Sequence, residues 1–304
     1  MSIDRHGFHK FPRTKDAEDK ALMTNDIFLN GKIIPITEGS ISPGDRGFLY
    51  GDGIFETLRS YKGEPFKLTE HLERMRSSAE KLKIFPAYTN TEISESITKL
   101  LEKNSVRDAY IRITLSRGED GSGLQMSVGL RSTILIQVKP FTPYDEQLYK
   151  EGISLCVSKQ RKSTTSPICR HKTTNLLTSI LLKEEARERS VHDSLVLNTN
   201  GYVAECIVSN IFMVKDGSVV TPSLDTNILP GITRSTVLDI CQNSGIPARE
   251  ECFKIETLIK ADEVFITNSL MEIMPVSMIE ECQIGKTIPG KITQQLMSEY
   301  KGLI

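Results

Sequence analysis

The sequence lacks the features that mark several classes of protein. None of its six cysteines forms a C-x-x-C pair, and no histidine lies near them in a ligand pattern, so no metal site is expected. No apolar stretch approaches the length of a membrane span, and the N-terminal residues contain no apolar signal core. We therefore expect a cytoplasmic protein with reduced thiols and no membrane partner.

An excess of charge of one sign is also missing. The chain has 38 Lys and Arg against 39 Asp and Glu, for a net charge of -1. Because nucleic acids bind basic surfaces, no nucleic acid is expected as a partner. The short basic cluster at residues 159–162 is typical of a solvated loop. Composition therefore favours a globular protein that acts on a small-molecule substrate.

The length of 304 residues suits two domains. Residues 1–25 are polar and predict a tail outside the fold, followed by a smaller domain over 26–140 and a larger one over 144–304. The segment Lys139–Pro143 is the predicted linker, because its two prolines resist both helix and central strand. Helices and strands mix without strict βαβ alternation, which indicates an α+β fold.

Local patterns predict the individual elements. Asn30-Gly31 between two apolar runs predicts a β-hairpin with a tight turn. Leu72, Met75 and Ala79 recur at helical spacing and predict a helix over residues 69–82. Further helices are predicted over 91–103 and 174–187 and from 232, and strands over 54–58, 109–116, 133–138, 153–158, 194–197, 203–214, 218–221 and 263–267.

Two glycine-containing segments are candidate phosphate sites. Gly51-Asp52-Gly53 begins like a dinucleotide fingerprint, but the third glycine is missing and no strand-turn-helix unit surrounds it. Leu229–Arg234 instead predicts a turn followed by an apolar helix. The free N–H groups at such a helix start bind anions, and Thr233 adds a hydroxyl. An ordinary helix cap is the alternative interpretation.

Two charged residues stand out by their context. Glu205 lies in a strand that is apolar on both faces, so its carboxylate needs a partner, and a structural salt bridge would suffice. Lys172 precedes Thr173-Thr174, which can cap the helix predicted there. The positive end of that helix would favour the neutral, nucleophilic amine. A surface lysine is the alternative.

Taken together, these segments resemble the class IV aminotransferase family. Glu205–Phe212, Val219–Thr221 and Leu229–Arg234 follow its signature with constrained spacing. Gly51–Arg59 and His71–Met75 also resemble that family. The resemblance extends from about Asp26 to the C-terminus.

The resemblance implies a cofactor, pyridoxal 5'-phosphate (PLP), and a fold. Members have a smaller N-terminal α/β domain and a larger C-terminal domain, with PLP in the cleft, and are typically homodimers. Lys172 matches the Schiff-base lysine, and Glu205 matches the acid that faces the pyridine nitrogen. The residues matched to the phosphate are Ile232, Thr233, Ser269 and Arg74, although helical periodicity indicates that Arg74 is solvated.

Three reactions within the family compete. Branched-chain aminotransferases usually carry an Asn-Tyr pair after the lysine, where this chain has Asn175-Leu176. Ile113 replaces the proline that usually follows their Tyr-Ile-Arg segment. D-amino acid aminotransferases favour a histidine at the position of Glu119. The segments that resemble aminodeoxychorismate lyases are Leu115–Gly118, Gly121–Gly123 and Thr267–Val276.

The resemblance thus favours a lyase that converts 4-amino-4-deoxychorismate to 4-aminobenzoate and pyruvate. Lys172 is expected to remove the C4 proton, and Arg117, with Arg112, to hold a substrate carboxylate. Phe55 and Thr57 are assigned to substrate binding by the same resemblance. A transaminase acting on branched-chain or D-amino acids is the alternative, and a non-catalytic PLP-binding homologue is a third interpretation.

Overall fold

The computed structural model describes residues 25–127 and 129–304. The predicted tail, residues 1–25, lies outside this range except for Asn25. The chain divides into two units, the first ending at Phe141 and the second running from Thr142 to Ile304. Both units combine helices with sheets that are largely antiparallel, so the predicted α+β class is confirmed.

The first unit is one antiparallel sheet covered by helices. Its strands are β1 Asp26–Leu29, β2 Lys32–Pro35, β3 Gly53–Tyr61, β4 Glu64–Pro65, β5 Ala109–Ser116 and β6 Thr133–Pro140. Its helices are α1 Arg46–Tyr50, α2 Leu68–Lys81 and α3 Asn90–Lys103, and a single 3-10 turn spans Ile36–Glu38. The strand order is β2-β1-β6-β5-β3-β4. The predicted hairpin is confirmed, with Asn30 and Gly31 at φ 49° and 94° between β1 and β2.

Alternation along the strands sets the core of the first unit. Leu58, Ile111 and Ile136 are buried on the sheet face that packs against helices α2 and α3. The predicted helical stripe is confirmed, because Leu72 and Met75 are buried in the same cluster. Neighbouring strand residues therefore point to the opposite face of the sheet, which carries the polar side chains described below.

The predicted linker is partly wrong. Lys139 and Pro140 belong to β6 and pair with β5, where Ala109 faces Pro140. Strand β1, which flanks β6 on its other side, reaches only to the register of Gln137. Pro140 therefore lies beyond β1, where a missing N–H interrupts no ladder. The division between the two units falls after the strand, at Phe141.

The second unit is built on a larger mixed sheet. Its strands are β7 Ile153–Lys162, β8 Asp193–Asn198, β9 Val203–Cys206, β10 Asn210–Lys215, β11 Ser218–Pro222, β12 Ala248–Glu251, β13 Glu263–Asn268, β14 Glu272–Ile279 and β15 Cys282–Gln283. Its helices are α4 Glu146–Glu151, α5 Leu177–Glu188, α6 Ile232–Asn243, α7 Ile255–Leu258 and α8 Lys291–Lys301, with 3-10 turns at Pro167–Arg170 and Leu224–Thr226. The order is β12-β11-β10-β13-β14-β7-β8-β9, and β15 pairs with β14.

The prediction of one strand over residues 203–214 is wrong. The chain turns between β9 and β10, and the Cys206 N–H donates to the Ser209 carbonyl at 2.8 Å. The Asp193 carboxylate accepts a bond from the Ile207 backbone and so helps to hold the turn. Both flanking strands remain buried, which explains the continuous apolar pattern. The turn brings Glu205 and Asn210 close enough to share a hydrogen bond.

Candidate active site

The carboxylate of Glu205 has three donors within hydrogen-bond reach. Oε2 accepts from the Leu229 N–H at 3.1 Å and from Asn210 Nδ2 at 3.3 Å. Oε1 accepts from the ammonium of Lys162, at the end of β7. Both charged side chains are largely buried, at 16% and 14% exposure for Lys162 and Glu205. The carboxylate is therefore satisfied, and its role toward a cofactor ring stays a prediction.

Lys162 was missed by the sequence analysis, which interpreted the basic cluster at 159–162 as a solvated loop. The cluster lies on strand β7, whose length was underestimated because its last residues are polar. Lys159 and Gln160 are exposed, as a solvated segment should be, whereas Lys162 turns to Glu205. The buried glutamate in a neighbouring strand was the available signal, because it required a cation nearby.

Lys172 lies in a segment that is fixed on its N-terminal side. Arg170, at the end of the 3-10 turn, donates from Nε to Asn227 Oδ1 at 3.1 Å and from Nη2 to the Leu224 carbonyl at 2.9 Å. Asn227 in turn donates to the carbonyls of Ser163 and Ser166. Two residues span at most about 7 Å, so Lys172 stays close to this anchor.

The prediction that Thr173-Thr174 cap a helix behind Lys172 is wrong. Helix α5 begins at Leu177, and its N-cap residue is Leu176, with no side-chain cap. The intervening residues turn instead, with the Leu176 N–H donating to the Thr174 carbonyl at 3.0 Å. The helix start is too far along the chain for its dipole to act on Lys172 in the way proposed, since that effect is confined to the first turn.

One segment, residues 224–231, joins the parts of this site. Leu224 and Asn227 hold the chain before Lys172, and Leu229 donates to Glu205. The Asn210 side chain, which also reaches Glu205, donates to the Leu229 carbonyl at 3.0 Å. The structure therefore brings the segment of Lys172, the carboxylate of Glu205 and the start of helix α6 to a common anchor.

The start of helix α6 fits a phosphate group. Ile232 and Thr233 are its first residues, and Gly231 provides no side-chain cap for their N–H groups. A Cβ on Gly231 would overlap Asn210 Oδ1, so only glycine allows this close approach. Such an uncapped helix start, with its N–H groups exposed to a ligand, is an anion site.

A buried hydroxyl supports the same fit. Thr267 pairs with Asn210 across strands β13 and β10, so the two side chains lie on one face. Within the part of the chain that is described, Thr267 Oγ1 is buried and has no hydrogen-bond partner. Ser269 follows in a turn fixed by Asn268, whose Oδ1 accepts from the N–H groups of Leu270 and Met271. The surplus donors suit an anionic ligand at this edge of the sheet.

In the first unit, Arg74 is not solvated, which corrects the interpretation of its helical periodicity. Its Nε and Nη2 donate to Glu56 Oε1 and Oε2 at 2.8 and 2.6 Å. His71 Nδ1 donates to Glu56 Oε2 at 2.7 Å. Burial raises the pKa of Glu56, but the charge of Arg74 and the hydrogen bonds from His71 and Arg74 outweigh it and lower the pKa to about 2. The expected contact of Arg74 with a phosphate stays a prediction.

This depressed pKa predicts a pH-dependent stability. The stabilisation is present above the ordinary pKa of 4.5 and is lost as the pH falls toward 2. The shift corresponds to about 3 kcal/mol. We expect Glu56→Gln to lower the free energy of unfolding by about that amount at pH 7, and the difference from the wild type to shrink below pH 4.5. Denaturant titrations at several pH values measure this difference.

Glu95→Gln is the matched control, because its carboxylate pairs with Lys99 on the exposed surface of helix α3. Exposed pairs of this kind contribute about 0.5 kcal/mol or less. A Glu56→Gln difference that is equally small, or one that stays constant from pH 7 to 3, would contradict the buried ion pair as a source of stability.

Arg112, Phe55 and Thr57 lie together on strands β5 and β3. Thr57 faces Arg112 across the two strands, and the Arg112 guanidinium stacks over the Phe55 ring at 3.9 Å from its centroid. Because Glu56 meets helix α2, these three residues point to the opposite face of the sheet. The structure thus groups three of the four residues that were predicted to bind substrate.

Arg117 does not join this group, and its predicted role is corrected. Its guanidinium forms a bidentate pair with Asp52, at 2.8 and 2.9 Å, and also donates to the carbonyls of Lys83 and Leu82. Burial raises the pKa of Asp52, but hydrogen bonds and charge from Arg117 and Arg46 outweigh it and lower that pKa. With its donors engaged in the protein, Arg117 fastens a loop and leaves no fork for a substrate carboxylate.

Neither a membrane-spanning helix nor a metal cluster is found among residues 25–127 and 129–304. No helix there has the length and apolarity required to span a bilayer. No group of three or more His, Cys, Asp or Glu side chains there is arranged to hold a metal ion.

Comparison with known proteins assigns this architecture. The family model described as Amino-transferase class IV matches residues 53–279. A Methanocaldococcus jannaschii protein described as a branched-chain-amino-acid aminotransferase is 36% identical over 277 residues, covering 91% of this chain and 96% of the relative. The aminodeoxychorismate lyase of Bacillus subtilis is 35% identical over 277 residues, covering 90% and 93%.

A solved structure gives the same result for the fold. A branched-chain amino acid aminotransferase from the organism abbreviated T.th., crystallised with pyridoxamine 5'-phosphate, superposes with a TM-score of 0.86 at 29% identity. The match covers 91% of this chain and 93% of that one. Lyase and aminotransferase relatives therefore share nearly the whole length of this chain.

Proposed function

Because the chain belongs to the class IV aminotransferase family, we propose that it is a PLP-dependent lyase that converts 4-amino-4-deoxychorismate to 4-aminobenzoate and pyruvate. That it is an enzyme of this family follows from the length and identity of the matches. The substrate and the reaction are the proposal. They rest on the residues around Lys172 and on the likeness to the Bacillus subtilis lyase.

PLP is the proposed cofactor, since the structural relative described above was solved with its amino form. Lys172 would carry it, Glu205 would face its ring nitrogen, and Ile232, Thr233 and Ser269 would hold its phosphate. The uncapped start of helix α6 and the unpaired Thr267 hydroxyl support the phosphate position. When bound, PLP withdraws the electron pair that remains on a substrate carbon after proton removal.

Lys172 performs the proton transfer in this proposal. Its Nζ takes the proton from C4 of the substrate as a general base. The departure of pyruvate then leaves an aromatic ring, so no proton has to be returned to the cofactor. In a transaminase, Nζ would deliver the proton again to the cofactor carbon. The two reactions therefore share the lysine and differ in what it does with the proton.

Leu176 is the observation that carries the lyase over a branched-chain aminotransferase. It is the N-cap residue of helix α5 and is half-buried. The branched-chain enzymes usually present a tyrosine hydroxyl at this point, and an aliphatic side chain supplies no hydrogen bond. A transaminase remains the second candidate because the Methanocaldococcus jannaschii relative is described as one.

A direct assay tests the proposal. Purified protein with PLP is given 4-amino-4-deoxychorismate and, separately, branched-chain or D-amino acids with 2-oxoglutarate, and the products are measured. We expect 4-aminobenzoate and pyruvate to form in equal amounts and faster than any amino transfer. Efficient amino transfer with no 4-aminobenzoate would leave the transaminase as the function. No turnover of either kind, with PLP bound, would indicate the non-catalytic homologue.

Arg112 is the proposed ligand of a substrate carboxylate, in place of Arg117. A charge-assisted hydrogen bond contributes about 1.5–3 kcal/mol, so its loss costs roughly ten- to a hundredfold in catalytic efficiency. We expect Arg112→Ala to reduce kcat/KM by about that factor while PLP stays bound. Steady-state kinetics and the absorbance of bound PLP measure the two effects.

Arg117→Ala is the matched control, because it removes an arginine that is engaged within the protein. We expect it to lower the thermal midpoint, since Asp52 loses its bidentate partner, and to change kcat/KM per folded molecule less than Arg112→Ala. If Arg117→Ala costs more catalytic efficiency at equal folding, the assignment of Arg117 to the substrate stands.

A homodimer is also proposed, as the family resemblance implies. Leu177 and Ile180 expose 65% and 61% of their surface on helix α5, and Phe48 exposes 78% on helix α1. Apolar side chains exposed to this degree favour contact with a second copy. Light scattering on the purified protein should give twice the mass of the 34.1 kDa chain.

A further inference from the structure

Lys162 has no role in the proposed reaction, yet its ammonium contacts the carboxylate assigned to the cofactor ring. We infer that Lys162 is a positioning residue that places a second positive charge on Glu205 and thereby weakens the protonation of the ring nitrogen. The inference rests on the proposed function, because it requires PLP with its ring nitrogen at Glu205. It concerns this chain's own control over the strength of the electron sink.

Strand geometry directs the Lys162 side chain to Glu205. Lys162 pairs with Asn198 of β8, and Glu205 of β9 pairs with Val196. Asn198 and Val196 are two residues apart on the strand between them, so their partners lie on the same face of the sheet. The lysine side chain crosses β8 to reach the carboxylate. The contact therefore follows from the register of three strands and does not depend on a flexible surface residue.

The two oxygens of Glu205 are used unequally. Oε2 accepts from Leu229 N–H and from Asn210 Nδ2, both neutral donors. A carboxylate oxygen accepts about two hydrogen bonds, so Oε2 is saturated. Oε1 accepts from Lys162 and has room for one more donor. A ring N–H that binds Glu205 must therefore use Oε1 and share it with the ammonium.

Sharing one oxygen between two cations has an electrostatic consequence. One carboxylate cannot neutralise both a lysine ammonium and a protonated ring, and Lys162 and Glu205 are only 16% and 14% exposed. Water therefore screens the repulsion poorly. A like charge at this distance disfavours the protonated form of a neighbouring group. Lys162 thus opposes the protonation that Glu205 favours.

Nitrogen NMR of the holoenzyme tests this directly. Protein loaded with PLP labelled with 15N in the ring is titrated from pH 5 to 10, and the ring signal reports protonation without any turnover. We expect Lys162→Met to move the midpoint upward by about one pH unit or more, the scale on which one neighbouring charge acts. Lys162→Gln, which keeps a neutral donor, should give the same shift. Lys162→Arg should retain the wild-type midpoint.

The outcomes separate this inference from the proposed function. A merely structural ion pair would change the thermal midpoint in Lys162→Met and leave the 15N titration unchanged, which would overturn the inference. Glu205→Gln is measured beside it and should shift the signal toward the unprotonated value. If Glu205→Gln shifts the signal and both neutral Lys162 variants do not, only the inference is lost. If no variant shifts it, or the wild type binds no PLP, the placement of the ring at Glu205 is wrong as well.

Discussion

Replacing Lys172 with alanine is expected to reduce turnover by about four orders of magnitude or more. The lysine has two functions in the proposed reaction, as the covalent attachment for PLP and as the base that takes the substrate proton, and a positioned base alone contributes up to roughly 10⁴-fold. The fold should persist, because Lys172 lies in a turn outside the strands and helices. Turnover per folded molecule and the thermal midpoint are the measurements.

Attachment can be tested independently of turnover. Borohydride reduction of the wild type with PLP, followed by peptide mapping, should label Lys172 and no other lysine. Lys159→Ala is the control, because Lys159 is exposed on β7 and belongs to the same stretch of chain. It should retain the label and the activity. A label on any lysine other than Lys172, or full activity in Lys172→Ala, would remove the basis of the cofactor assignment.

Elements set by near neighbours could be predicted from the sequence. The β1–β2 hairpin follows from Asn30-Gly31, which adopts positive φ values readily. Helix α2 follows from Leu72 and Met75, whose spacing places them on one face. In both cases the signal lies within a few residues and agrees with the tertiary packing.

Elements whose ends are set by distant contacts could not be predicted. The apolar run after Tyr202 continues through the break at Ile207–Ser209, because both strands are buried and the turn is closed by backbone bonds and by Asp193. Helix α5 begins later than its threonines indicated, since a turn at Thr174 precedes it. Periodicity reports burial, and burial alone does not mark where hydrogen bonding changes.

The same distinction applies to the site. A motif gives the type of residue at a position, and so Glu205 and the start of helix α6 were identified. Partners are set by the fold: Lys162 reaches Glu205 across a separation of 43 residues, and Arg117 reaches Asp52 across 65. These contacts gave Lys162 a position at the candidate active site and removed Arg117 from it.

Replacing Glu205 with glutamine is expected to reduce turnover per folded molecule by about a hundredfold or more. An amide accepts a ring proton more weakly than a carboxylate does, so the electron sink that drives proton removal is weakened. Some stability should also be lost, because Lys162 loses its counter-ion in a largely buried setting. The thermal midpoint alone therefore cannot decide whether Glu205 acts on a cofactor or only forms a salt bridge.

Glu280→Gln supplies the control that separates these roles. The Glu280 carboxylate also combines an ion pair, with Arg189, and a backbone donor, the Val157 N–H at 2.5 Å, but no predicted site residue contacts it within the described residues. Removing its charge should lower stability in the same way and leave turnover per folded molecule unchanged. If Glu205→Gln behaves like Glu280→Gln, the structural salt bridge accounts for Glu205. If turnover falls while the two midpoints shift comparably, the carboxylate acts on the reacting system, because loss of an ion pair alone does not slow the folded enzyme.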